Sequence, residues 1–562
     1  MVASLHSEYA KRTGGHELSI EVPGMHHSQM RLKIFVIFSN AAQRDRLSLN
    51  MSTGAEPLGT GNVAVRVKES RPPLRHGRST GQFGPAISLA AFGTVSFIYI
   101  VLRLRHIGTY SLWCDEAFSV FVAKSQWSDL FRQVILDRVH PPLFYMLLKV
   151  WIAVVGASLS QLRLFSVFLS ALTLLPLWSC MRRVRLEPWL KLALLFAIAC
   201  NPFLIFYSQE VRMYALLCFL SVWSLDLYLK QRSERPFLRI LWALVNVSLV
   251  MVHVAGVAVI GCELAHAALT RKEFRNRFLT CLPAVLAFVG WVIAVKALSP
   301  APARVLHNIQ WISKLTLAVE WKTIAHLLGS SVGAVVLNLP VAIAIWTHRK
   351  VEQRFASLFL MLSAATIVFV FAFSVVVKPI WQERYLIVAV IPYYLLAGDS
   401  IRRIGPKWAL RCTVAIAAVG MLSLEYDLTH RPDRPVFTKF VIPAGEPLFA
   451  SDDLAGAPLA IRQSSGEIPI RIIKASSLAN SAGLRLTVRD VSYSIGEREG
   501  LIERGHDIYE RDFLYAYDTT PDPMSPPGLL PSQLASYGCS EKELAETHGE
   551  GREFVLFRVS CT

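Results

Sequence analysis

The chain has 562 residues, 53% of them hydrophobic and 18% charged, with mean hydropathy +0.41 and formal net charge +17. Soluble domains carry about a quarter charged residues, so these values exclude an ordinary soluble protein and indicate a polytopic membrane protein. Lys and Arg fall in short clusters between apolar runs, without an aromatic-rich basic module, so membrane topology accounts for the charge and a nucleic-acid partner is not expected.

Residues 1–82 mix charged residues with Gly, Ser and Pro, and the apolar run IFVIFSNAA is too short to span a bilayer. They read as a disordered cytoplasmic tail, with Met51 as a later start if the gene start is overlong. The first thirty residues lack the apolar core of a secretory signal, so no cleaved signal is expected.

Residues 83–425 carry the apolar runs. A helix needs about 20 residues to cross about 30 Å of hydrocarbon. The expected spans are 84–104, 162–181, 189–206, 211–229, 238–253, 255–270, 279–297, 332–347, 355–376, 384–400 and 407–425, about eleven crossings. The apolar segment PPLFYMLLKVWIAVVGA (141–157) is shorter, and the positive-inside rule decides its status. Leaving it out puts RRVRLEP, KQRSERPFLR, RKEFRNR, HRKVEQR and RRIGPKWALR on one, cytoplasmic side; counting it as a crossing inverts that bias. It is therefore expected to lie along the outer interface, or to be re-entrant, within a first outer loop of residues 105–160.

Residues 426–562 change character. Gly, Pro, Asp and Ser rise, and the alternating stretches LRLTV, DFLYAYD and EFVLFRV predict strands, while YSIGEREGLIERG predicts a helix. A small α/β domain outside the membrane is expected. Most of the nine cysteines lie in apolar segments without metal-ligand spacing, which leaves Cys539 and Cys561 as the two able to pair.

Four polar clusters recur at span ends on the expected outer face: WCDEA with Asp115 and Glu116; DRVHPPL with Asp137, Arg138 and His140; YSQEVRMY with Tyr207, Gln209, Glu210, Arg212 and Tyr214; and KPIWQERYL with Lys378, Glu383, Arg384 and Tyr385. Ionised groups at membrane depth are costly and are usually paired or functional. Each cluster also has a bland reading: solvated loop at Asp115 and Glu116, helix start at His140, and interface ion pairs for Glu210 with Arg212 and Glu383 with Arg384. His253 reads as a structural interface histidine. His266, Glu263 and Asp226 sit in apolar spans, where helix-to-helix hydrogen bonding is the default.

In order and spacing, YSLWCDEAFSV, HPPLFYMLLKVW, LRLFSVFLSALTLLPLW, NPFLIFYSQEVRMYALL and ERYLIVAVIPYYLLAG resemble the bacterial glycosyltransferase family 39-like and protein mannosyltransferase-like proteins of the GT-C superfamily. The likeness is strongest over residues 84–230. It implies an all-α GT-C-like bundle of about 11 to 13 transmembrane helices with interfacial helices in the first outer loop, in a bacterial inner membrane. It also implies transfer of a sugar from a polyprenyl-phosphate donor to a lipid, polysaccharide or protein acceptor on the outer face. Asp115 and Glu116 match the family's acidic motif, which holds the catalytic carboxylate.

The residue types agree with that chemistry. Displacing a phosphate from an anomeric carbon requires a base for the acceptor hydroxyl but no acid for the leaving group, so a single carboxylate suffices. Asp115 is the candidate base, with Glu116 orienting it, binding acceptor or holding a divalent cation (Mg or Mn), a requirement the sequence leaves open. Cations stabilise the departing phosphate, and the order of candidates is Arg384, Arg212 and Lys378. Glu210, Tyr214 and Glu383 support them, His140 contacts donor phosphate or acceptor, and Tyr385 lines the site. A flippase of lipid-linked sugars and a non-catalytic subunit of a glycan assembly complex are the competing readings. No internal repeat of the kind common in transporters is visible.

Overall fold

The computed structural model describes residues 16–19, 33–36, 85–230, 236–271, 273–298, 317–347, 354–376, 381–404, 406–430, 434–443, 446–451, 459, 471–473, 478–480, 483–490, 506–510, 512–519, 534–535, 538–549 and 552–561. Two units are present, Met1–Gln82 and Phe83–Thr562. In the first, β1 (His16–Ser19) pairs antiparallel with β2 (Lys33–Val36), a hairpin within the segment expected to be disordered.

The second unit opens with α1 (Pro85–Leu104), followed by three short helices of the first loop: α2 (Cys114–Lys124), α3 (Trp127–Asp137) and α4 (Leu143–Val155). Local chemistry sets their ends. Glu116, third in α2, folds back to accept the Trp113 N–H at 3.2 Å, and Arg138 closes α3 in the left-handed region with φ 61°. At 13 residues α4 is too short to span a bilayer, and it packs against α2 and α5 (Leu159–Leu172).

The bundle continues through α6 (Leu174–Arg183), α7 (Pro188–Ala199), α8 (Pro202–Gln209), α9 (Tyr214–Lys230), α10 (Pro236–Val250), α11 (Ala255–Leu269) and α12 (Phe274–Leu298). It is completed by α13 (Leu317–Leu327), α14 (Ser331–Thr347), α15 (Arg354–Leu360), α16 (Thr366–Val376), α17 (Ile387–Arg403) and α18 (Pro406–Thr429), with a π-helical turn, Met361–Ala365, between α15 and α16. Each of the eleven expected spans falls on one of these helices or on a consecutive pair. Five continuous helices, among the described residues, are long and apolar enough to cross a membrane, or six if the bent pair α7–α8 is one span. That pair bends by 54°, because Asn201 caps α8 through the Leu204 N–H at 3.1 Å and Pro202 at the first position cannot continue α7.

The inner polar residues bond from helix to helix, as expected of apolar spans: Ser224 donates to Glu263 at 2.9 Å, Tyr228 and His266 meet at 2.7 Å, and Asp226 lies 3.7 Å from Arg183 while also pairing with Lys230 on its own helix.

The C-terminal part forms an eight-stranded mixed sheet in the order β5-β6-β4-β3-β8-β10-β9, with β7 on β6. LRLTV lies in β6 (Gly483–Asp490), DFLYAYD forms β8 (Asp512–Asp518) and EFVLFRV lies in β10 (Arg552–Cys561), all as the alternation predicts. The helix expected over 493–505 lies outside the described residues. The remaining strands are β3 (Leu448–Ala450), β4 (Arg471–Ile473), β5 (Leu478–Asn480), β7 (His506–Glu510) and β9 (Cys539–Gly549). The segment before the sheet is tied to the bundle, since the Ser111 N–H donates to the Pro435 carbonyl at 3.1 Å.

A disulfide joins Cys539 to Cys561 across the directly paired strands β9 and β10, 22 residues apart in sequence. Closing such a loop constrains the unfolded chain by about 3 kcal/mol. Replacing both cysteines by serine should lower the melting temperature of the oxidised protein and abolish its sensitivity to reductant in thermal scanning. Identical melting curves for the two proteins would contradict this.

Candidate active site

The adjacent carboxylates of WCDEA occupy different environments. Glu116 is fully buried and surrounded by donors. Its Oε1 accepts the Val211 N–H at 2.8 Å and Arg163 Nε at 3.5 Å; its Oε2 accepts Arg163 Nη2 and the Trp113 N–H, each at 3.2 Å. Burial pushes its pKa up, but Arg163, Arg434 and the Val211 N–H outweigh burial and hold it below the usual carboxylate value. Arg163 also donates to the carbonyls of Tyr110 at 2.6 Å and Ser111 at 2.8 Å, so one ion pair fastens the loop after α1, the start of α2 and the α8–α9 turn to α5.

Asp115, one residue earlier, turns the other way, with its side chain 34% exposed. Its Oδ2 accepts Arg384 Nη1 at 2.9 Å and lies 3.8 Å from Arg212 Nη2. Arg212 Nη1 donates to the Asp115 carbonyl at 3.3 Å and to Ser119 Oγ at 3.2 Å. Burial acts to raise the Asp115 pKa, and Arg212 and then Arg384 outweigh it, so the carboxylate is held below its ordinary value. Arg384 stacks its guanidinium 5.8 Å from the centres of both the Trp113 and Tyr385 rings.

Five buried polar atoms of the same region have no hydrogen-bond partner among the described residues: His140 Nε2, Tyr145 Oη, Tyr214 Oη, Glu210 Oε2 and Arg212 Nε. His140 faces Asp137 Oδ2 with Nδ1 at 3.0 Å, and burial lowers its pKa, so its neutral ring turns Nε2 away from Asp137 as an acceptor. Its ring is 5.7 Å from His253, which is 5.5 Å from Tyr385 and 6.3 Å from Tyr214. Unsatisfied buried polar groups are rare in native proteins, and five together form a site prepared for a polar ligand.

The structure thus brings Asp115, His140, Glu210, Arg212, Tyr214, Arg384 and Tyr385 to one end of the bundle. Glu116 is one residue away but points into the protein. Glu383 points elsewhere: Oε2 meets His326 Nδ1 at 2.7 Å and Oε1 accepts the Tyr207 hydroxyl at 3.4 Å. Lys378 lies outside the described residues. The simple pairings Glu210 with Arg212 and Glu383 with Arg384 do not form; both arginines turn to Asp115 instead. Sequence reading missed Arg163, Arg434, Tyr145 and Trp113 as a site component. Arg163, a lone charge in the apolar run LRLFSV, was the one with a legible signal.

Guanidiniums face both acids: Arg163 engages Glu116, while Arg384 and Arg212 face Asp115 Oδ2. Among the described residues, Glu546, His548 and Glu553 alone bring three metal-ligand donor atoms together, at the far end of the β9–β10 hairpin.

The fold of the chain is found among solved structures. The chain is similar to ArnT from Cupriavidus metallidurans in the apo state, with 13% identity and a TM-score of 0.54, over 84% of this chain and 98% of that one. The same enzyme bound to undecaprenyl phosphate gives 12% identity, the same coverage and a TM-score of 0.54. The archaeal oligosaccharyltransferase AglB from Archaeoglobus fulgidus matches at 11% identity and TM-score 0.42, over 67% of this chain and 63% of that one. No protein-family model and no curated protein matches the chain.

Two outcomes follow from the buried charges. Replacing Arg163 by Met strands the Glu116 carboxylate, at a cost of about 3–5 kcal/mol. The protein should lose thermal stability, and Glu116→Leu added to Arg163→Met should restore part of it; a single Arg163→Met variant as stable as the parent would refute the anchoring role. Glu210, in the turn outside both α8 and α9, has its pKa raised to about 7, by burial first and then by the charge of Glu116. The folded protein keeps a proton there that the unfolded chain releases, so stability contributed by this group falls as pH rises from about 4.5 to about 7. Melting temperatures of Glu210→Gln across that window should show a flatter slope than those of the parent; parallel slopes would count against the assignment.

Proposed function

We propose that the protein is an inverting membrane glycosyltransferase that moves a sugar from a polyprenyl-phosphate donor to an acceptor hydroxyl on the outer face of the cytoplasmic membrane. The observation that carries the reading is Asp115 held between Arg384 and Arg212, partly exposed, in a region with buried polar atoms that no described residue satisfies. The fold shared with ArnT, which has been captured with undecaprenyl phosphate, supports a lipid-phosphate donor. The eleven-span topology and cytoplasmic amino terminus belong to the same reading.

In this mechanism the donor phosphate enters beside Arg384 and Arg212, whose planar guanidiniums suit its oxygens. Phosphate binding draws both cations partly away from Asp115. The carboxylate's proton affinity then rises toward its ordinary value, so base strength is gained only with donor in place. Asp115 takes the proton of the acceptor hydroxyl as its oxygen bonds to the anomeric carbon, and the bond from that carbon to the phosphate oxygen breaks on the opposite side. The charge on the departing phosphate stays with the arginines. Tyr145 and Tyr214 offer hydroxyls, and His140 Nε2 a lone pair, to the sugar. Glu116 acts as a positioning residue, and no step requires a metal ion.

Asp115→Asn should cut transfer from a polyprenyl-phosphate sugar by about 10²- to 10⁴-fold while leaving the melting temperature and donor binding nearly unchanged. Arg384→Lys should weaken both donor binding and turnover, because the ammonium cannot bridge two oxygens. Product formation is followed by mass spectrometry with purified protein. A fully active Asp115→Asn variant would sink the mechanism.

A further inference from the structure

Beside the site, at the same end of the bundle, lies a half-open pocket of about 130 Å³ between the end of α1, α8, the end of α13 and the end of α18. No step above uses it. One wall is aromatic: the rings of Tyr426 and His430 stack at 4.0 Å with 18° between their planes, and Phe206 also lines the space. The polar wall joins groups of opposite hydrogen-bonding character. Arg105 Nη1 pairs with Asp427 Oδ2 at 3.0 Å, and His326 brings a ring that can donate or accept.

These features select among ligands. The permanent charges of Arg105 and Asp427 cancel, and a phosphate entering the pocket would meet the Asp427 carboxylate. An apolar chain would meet Leu102, Pro202, Ile205 and Phe206 but would cover the Arg105–Asp427 pair and His326 without offering them hydrogen bonds. A pyranose ring satisfies both walls, because its C–H face lies on a flat aromatic surface and its hydroxyls both donate and accept. The pocket also connects to the chemistry. His326 Nδ1 bonds Glu383 Oε2 at 2.7 Å, and Glu383 precedes Arg384, which grips Asp115 at 2.9 Å.

We propose that this pocket binds a pyranose ring of the acceptor, so that the acceptor is a glycan and not a protein side chain. The inference rests on the transferase reading above, and the Tyr426–His430 stack is its specificity element.

Saturation-transfer difference NMR on the purified full-length protein in phospholipid nanodiscs tests it, with methyl β-D-glucopyranoside, methyl α-D-mannopyranoside, methyl β-D-galactopyranoside and methyl α-L-rhamnopyranoside as probes. At least one should receive saturation at its ring C–H protons, with the signal lost in Tyr426→Ala and His430→Ala but kept in Tyr426→Phe and Asp115→Asn. Absence of signal from all four probes, a signal indifferent to Tyr426→Ala, or its displacement by inorganic phosphate would overturn the proposal. Failure of the pocket alone leaves Asp115-dependent turnover intact. Failure of the transferase reading alone leaves Tyr426-dependent sugar binding without product.

Discussion

The Glu116–Arg163 ion pair is the constraint from which the site follows. Both side chains are almost completely withdrawn from solvent, and each compensates the other's desolvation only because additional partners are present: two backbone N–H groups on Glu116 and the loop carbonyls of Ile107, Tyr110 and Ser111 on Arg163. A pair so embedded contributes little net stability relative to an apolar core, but it permits only one arrangement of α2, α5 and the α8–α9 turn. Successive side chains on a helix diverge by about 100°, so burying Glu116 turns Asp115 toward the other side of α2. The buried acid therefore determines where the partly exposed one points.

The electrostatics follow from that orientation. Asp115 meets two guanidiniums supplied from opposite parts of the chain, Arg212 from the α8–α9 turn and Arg384 from the short turn before α17. Each arginine is supported by a different structure: Arg212 by Ser119 on α2, and Arg384 by the rings of Trp113 and Tyr385. Trp113 is itself fixed by its indole N–H to Glu210 Oε1 at 2.9 Å. The cluster expected to supply ion pairs thus supplies a scaffold for one arginine, while the arginines serve a distant carboxylate.

Much of this was legible in the sequence. The four polar clusters were visible as charge at the ends of apolar runs, and strands β6, β8 and β10 as short alternating stretches. Burial asymmetry between neighbours was not. Asp115 and Glu116 are equivalent in any linear pattern, and only the partner placed opposite each, Arg163 or Arg384, separates them. Arg163 carried a signal that went unused: a guanidinium within an apolar run must be paired, and the preceding loop offers Asp115, Glu116, Asp129 and Asp137 as partners. Glu383 shows the converse error. Its adjacency to Arg384 suggested a pair, but adjacent side chains diverge, and its partner in space is His326.

The number of spans was harder to read for a physical reason. Helices such as α10 and α11, 15 residues each, are apolar yet shorter than the roughly 20 residues a bilayer crossing needs. The bent pair α7–α8 shows why the shortfall matters. A straight span would carry its last turn past the site, whereas the Asn201–Pro202 break redirects α8 so that Gln209 caps the carbonyls of Arg103 and Arg105, at 2.9 and 2.7 Å, and the following turn delivers Glu210 and Arg212. A defect in one membrane helix is therefore part of the geometry that brings Arg212 to Asp115.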